Sequence, residues 1–62
     1  MDEDIQLIEA VLRGDRSAFQ RLVERYQNYV FTVTYRVLKS REEAEEAAQD
    51  TFIKVYQTLA SF

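Results

Sequence analysis

Between Arg41 and Asp50 the chain reads Arg41-Glu42-Glu43-Ala44-Glu45-Glu46-Ala47-Ala48-Gln49-Asp50, five acids against one base. Carboxylates at that density make charge-assisted hydrogen bonds to basic groups, and a glutamine among them adds a donor and an acceptor. Most of these acids have no lysine or arginine four residues on, so pairing within a helix leaves most of the charge free. Part of the excess is structural, because acids near a helix amino terminus complement its dipole. Metal binding is a poor use of Glu42, Glu43, Glu45 and Glu46, since carboxylates on one helix seldom close a coordination shell. Ser17, Ser40 and Ser61 lack a base to activate them and read as turn and cap residues. With no cysteine and no histidine, disulfides, thiolate zinc sites and imidazole catalysis are excluded. Recognition by shape and charge remains, so the sequence points to a binding module without a cofactor rather than an enzyme.

The elements that position these acids follow from periodicity. Sixty-two residues, 47% hydrophobic with one glycine and no proline, make one small all-α domain, too apolar for disorder and too poor in turn formers for a sheet. A first helix is expected from about Glu3 to Arg13, capped by Asp2, with Ile5, Ile8, Val11 and Leu12 on its apolar side. Gly14-Asp15 makes the turn, glycine ending one helix and aspartate capping the next. The second stripe reads Phe19, Leu22, Val23, Tyr26, Val30, Val33, Val37. Its steps of three and four run through the β-branched cluster at Tyr29 to Tyr35, which is therefore read as helix despite its strand propensity. Ser40 with Glu43 forms a capping-box pattern and opens a third helix from Arg41 to about Ala60, with Ala44, Ala47, Ala48, Thr51, Phe52, Val55 and Leu59 as its core stripe. The expected architecture is three helices: a long antiparallel helix pair with a short N-terminal helix packed across it.

At ~100° per residue that core stripe leaves Glu42, Glu46, Gln49, Asp50, Ile53 and Gln57 on the opposite side of the third helix. An isoleucine inside a charged rim is how docking surfaces are often built. The formal net charge of −3 makes a basic protein a better partner for this stretch than nucleic acid. Arg21, Arg25 and Arg36 share a flank of the second helix, but acids such as Glu24 dilute their field, so they read as a solvated face. Tyr26, Tyr29, Tyr35 and Tyr56 read as core-edge aromatics whose hydroxyls reach water. Phe31, Tyr35 and Leu38 form a second apolar stripe, covered by another helix of the chain or else facing a further segment or a second copy. The acidic start Met1-Asp2-Glu3-Asp4 is unlike a secretory signal and no apolar run reaches ~20 residues, so no membrane contact and a cytoplasmic location are expected.

The run Glu45-Glu46-Ala47-Ala48-Gln49-Asp50-Thr51-Phe52-Ile53-Lys54-Val55-Tyr56 closely resembles the signature helix of region 2 in bacterial RNA polymerase sigma factors of the sigma-70 family, especially the extracytoplasmic-function (ECF) group. Gly14-Asp15, Ala18-Phe19, Leu22 and Arg25-Tyr26 resemble the opening of that group, and Tyr29 to Leu38 its first long helix. The resemblance implies that residues 1–62 are the N-terminal part of region 2. It also implies that the third helix binds the coiled-coil clamp helices of the largest polymerase subunit in transcription initiation. The family's contact motif, an acid, a glutamine three residues on and an acid after it, falls on Glu46, Gln49 and Asp50, with Ile53 adding apolar contact. Family members often carry aspartate first and glutamate last, and here the two lengths are exchanged.

In the family the next segment is a basic, aromatic helix that reads the promoter −10 element, and a later domain reads the −35 element. Neither follows before Phe62, so promoter DNA is expected to be bound only through segments outside this sequence. Two other functions fit the same surfaces. One is a regulatory module bound by an anti-sigma factor, and the other is a self-associating helical hairpin forming a homo-oligomer.

Overall fold

Two residues decide how the first two helices meet. The computed structural model describes residues 2–62, with side chains from Glu3 onward, and contains α1 (Asp2–Leu12), α2 (Arg16–Leu38) and α3 (Arg41–Ala60). After α1, Gly14 takes φ +99°. Its N–H donates to Val11 O at 2.9 Å while Asp15 N–H donates to Ala10 O at 3.0 Å, the paired closing bonds of a Schellman turn. The Asp15 side chain then starts α2: its Oδ1 accepts from Ser17 N at 3.0 Å, Ala18 N at 3.3 Å and the Ser17 hydroxyl at 2.6 Å. One aspartate thus closes α1 through its backbone and opens α2 through its carboxylate. The capping role expected of the Asp2 side chain lies outside the described residues.

The Ser17 hydroxyl first, and the Ala18 N–H after it, hold the Asp15 carboxyl below its ordinary value of 3.8. A carboxyl whose folded pKa is lowered stabilises the fold above its unfolded-state pKa, and that contribution is lost as pH falls through the folded value. Asparagine caps as well as aspartate but does not titrate. Asp15→Asn is therefore expected to reduce the fall in melting temperature between pH 5 and pH 3, followed by circular dichroism. Equal falls in variant and parent would contradict the assignment.

The reversal between α2 and α3 takes two residues. Lys39 sits in the left-handed region at φ 57°, its N–H donating to Tyr35 O at 2.8 Å. Ser40 is extended, and its side chain accepts from Glu43 N at 3.4 Å. A lysine Cβ in that conformation costs roughly 1–2 kcal/mol, which glycine avoids, while glycine adds about 0.4–1 kcal/mol of unfolded-chain entropy to be lost. Lys39→Gly should therefore stabilise the chain by about 0.5 kcal/mol, a rise in Tm of about 2–4 °C. A fall in Tm would show that the lysine side chain contributes more than its backbone costs.

All three helices run where the sequence placed them to within a residue at most ends, and α2 is continuous through Tyr29 to Tyr35. α1 lies antiparallel to the first half of α2, and α3 antiparallel to the whole of it. Leu7, Val11 and Ala18 form the buried core, flanked by half-buried Phe19, Leu22, Tyr56 and Leu59. Phe19 and Tyr56 meet edge to face at 4.9 Å between centroids, a favoured aromatic geometry. Further along, Ala44 is wholly buried and Ala48 nearly so. Their small side chains let α2 come close enough for the Thr34 hydroxyl to donate to Ala44 O at 3.0 Å.

Which face is buried differs from the sequence expectation in each helix. In α1 the inward residues are Leu7 and Val11, while Ile5, Ile8 and Leu12 are exposed. The rotation is set by Asp4, which shares the inward stripe at the usual three-and-four spacing. Asp4 accepts a hydrogen bond from the Tyr26 hydroxyl and has Arg25 Nε 2.9 Å from its Oδ1, while Arg25 Nη1 reaches Glu3 Oε1 at 2.6 Å. Asp4 Oδ1 is buried without an aligned hydrogen bond, so the guanidinium charge is its compensation. The Tyr26 hydroxyl therefore meets a carboxylate rather than water, and that bond, with burial and the Asp4 charge, raises its pKa above 10.0.

In α2, Val33 and Val37 are exposed, Val37 to 75%, and Thr34 takes the inward place. An eleven-residue α1 is about 16 Å long and cannot cover a helix twice its length. Beyond Tyr26 the corresponding face of α2 opens to solvent at Val33 and Val37. In α3, Thr51 and Val55 are exposed, and Tyr56 packs inward against Phe19. The consequence shows in total surface: 5134 Å², against roughly 4200 Å² for a compact monomer of 7.4 kDa by size scaling. No large side chain is fully buried among the described residues, so stability rests on a thin core.

Candidate functional site: the outer face of α3 and the groove beside it

Glu42, Glu46, Gln49, Asp50, Ile53 and Gln57 are all exposed. Helical rotation places them within an arc of about 100°, and Glu46 to Ile53 spans about 10 Å along the axis. Arg41 Nε pairs with Glu45 Oε1 at 3.2 Å, and among the described residues no ion pair involves Glu42, Glu46 or Asp50. Glu46 and Asp50 thus offer free carboxylates, with Gln49 between them along the helix axis and at one edge of the arc. Ile53 is 53% exposed one turn on, an apolar step at the end of the acidic run.

The same face is also one wall of a groove. Gln49, Ile53 and Gln57 stand on its α3 side and Arg16 and Gln20 on its α2 side, with Phe19, Val23, Phe52 and Tyr56 beneath. Gln49 in addition borders a second hollow nearer the α2–α3 turn, which contains Phe31, Asn28 and Glu45. It therefore stands on the ridge between two depressions. The sequence reading missed Arg16, Gln20, Val23 and Phe52 as surface. Val23 and Phe52 have core periodicity, yet they are only half-buried. A stripe wider than its partner helix can cover was the available signal.

The second apolar stripe is divided. Phe31 is half-buried in the hollow beside α3 and leans on Tyr35 at 5.7 Å between ring centroids, while Tyr35 and Leu38 are exposed. Arg21 and Arg25 line the cleft between α1 and α2 together with Glu3, Asp15 and Glu24. The mixed signs there, and the engagement of Arg25 with α1, leave no continuous basic track. Ser17, Ser40 and Ser61 occupy cap and turn positions.

α3 thus presents an unpaired acidic arc beside an apolar groove. The chain matches the sigma-70 region 2 family over residues 22–62 and belongs to it, within the ECF group. The RNA polymerase sigma-H factor of Pseudomonas aeruginosa is 41% identical over 61 residues, covering 98% of this chain and 32% of that protein. An ECF RNA polymerase sigma-E factor of Haemophilus influenzae is 42% identical over 59 residues, 95% of this chain and 31% of that protein. The ECF RNA polymerase sigma factor SigW of Bacillus subtilis is 38% identical over 55 residues, 89% of this chain and 29% of that protein. The chain spans about a third of the length of these relatives. No solved structure matches it. Among the described residues no helix is long and apolar enough to cross a membrane.

Proposed function

We propose that residues 1–62 serve transcription initiation as the N-terminal part of a sigma factor region 2. In this reading the chain binds the clamp helices of the largest RNA polymerase subunit through Glu46, Gln49, Asp50 and Ile53. Family membership supports the general role. The observation that carries the specific one is that Glu46 and Asp50 lie exposed and unpaired on one arc of α3 with Gln49 and Ile53 between and beside them. A partner helix bearing arginine or lysine would meet two carboxylates and an amide in register, the arrangement that charge complementarity uses to set encounter rate and orientation.

The direct test is a titration of the fluorescently labelled chain with core RNA polymerase at two salt concentrations. Saturable binding that weakens as salt rises is expected, because exposed charges are screened beyond about 10 Å at 0.1 M. Absence of saturable binding, or affinity indifferent to salt, would contradict an interface built on these acids.

A further inference from the structure

We propose that a second copy of this chain covers the part of α2 that α1 leaves open, forming a twofold-symmetric dimer in which the two α2 helices lie antiparallel. Tyr29, Val33 and Val37 are 69%, 44% and 75% exposed and fall within an arc of about 80° on α2. That arc continues the line of Ala18, Leu22 and Tyr26, along which α1 packs. None of the three borders the groove or the hollow beside the acidic face of α3, so the dimer and the docking reading stand or fall separately.

Area and charge both select a second copy. The total surface of 5134 Å² exceeds that of a compact monomer by roughly 900 Å², and a standard interface buries about 800 Å² on each partner. A twofold pair is self-complementary, each patch meeting the same patch on the other copy. With Val33 at the axis of an antiparallel pair, Val37 of each copy lies over Tyr29 of the other. Lys39 then comes within about 3 Å, along the axis, of the level of Arg25 on the other copy, where Glu3 stands on α1. Lys39 is exposed and, among the described residues, takes part in no ion pair. The basic end of one α2 thus meets the acidic start of the other α1, whereas a parallel pair would set Lys39 against Lys39.

Sedimentation equilibrium of the chain and two variants tests this. The mass is expected to rise from 7.4 kDa toward twice that value between about 1 µM and about 1 mM. Val33→Lys keeps its helicity, because lysine is the better helix former. It sets two cations at the axis in place of two valines and is expected to weaken the dimer at least about 100-fold. Ile53→Lys, on the outer face of α3, is expected to dimerise like the parent. A parent that keeps the monomer mass at about 1 mM would overturn the proposal and leave the face to a segment outside this sequence. So would a helical Val33→Lys variant that dimerises like the parent, or an Ile53→Lys variant that fails to dimerise. Should Val33→Lys lose helicity, Val37→Lys, at the more exposed position, decides by the same measurement.

Discussion

Replacing Ala44 by leucine is expected to unfold most of the chain at room temperature. Ala44 has no exposed surface, and its carbonyl accepts the Thr34 hydroxyl at 3.0 Å, so α2 and α3 pack closely at this position. Three added carbon atoms have no cavity to fill and must push the helices apart, breaking that hydrogen bond and uncovering Ala48 in the next turn. Overpacking typically costs about 1–3 kcal/mol, and the lost bond about 1 kcal/mol more. A single core in a chain this small rarely supplies more than about 3–5 kcal/mol in all. The surplus surface noted above places this chain toward the low end. Circular dichroism should show a large loss of helicity for Ala44→Leu. Leucine at exposed Ala60 should leave helicity unchanged. A variant melting within a few degrees of the parent would show that α2 and α3 are not held by this close approach.

The second large effect concerns binding and not folding. Glu46, Gln49 and Asp50 are exposed and, among the described residues, take part in no ion pair, and alanine is the best helix former. The triple variant Glu46→Ala, Gln49→Ala, Asp50→Ala should therefore keep its helix content. Hydrogen bonds to charged groups are worth about 1.5–3 kcal/mol each. Losing two such contacts and an amide contact is expected to reduce affinity for core polymerase on the order of 100- to 1,000-fold. The salt dependence of the remaining binding should flatten as well, since the exposed carboxylates that would attract a basic partner are gone.

How much of this could be read from sequence depends on how local each signal is. Gly14 and Asp15 announce the first turn and Ser40 opens α3, because each satisfies backbone groups within a few residues. The arc of Glu46, Gln49, Asp50 and Ile53 follows from helical rotation alone. The facing of α1 does not. Ile5-Ile8-Leu12 and Leu7-Val11 both have helical spacing, and the choice between them is made by Asp4 meeting Arg25 and Tyr26, 22 residues away for the latter. Val33 and Val37 continue the apolar period of α2 without fault, yet α1 is too short to reach them. The groove was hidden for a similar reason: Val23 and Phe52 have core periodicity, and only the separation of two helices decides whether a core position is open to solvent.

In the proposed function the acidic arc of α3 is the surface that holds RNA polymerase. It is tested most directly by fluorescence anisotropy of the labelled chain and its triple alanine variant, each titrated with core polymerase in the same low-salt buffer. Saturable binding is expected of the parent, with a loss on the order of 100-fold or more in the variant at unchanged helicity. Equal affinities for two equally helical chains would contradict it.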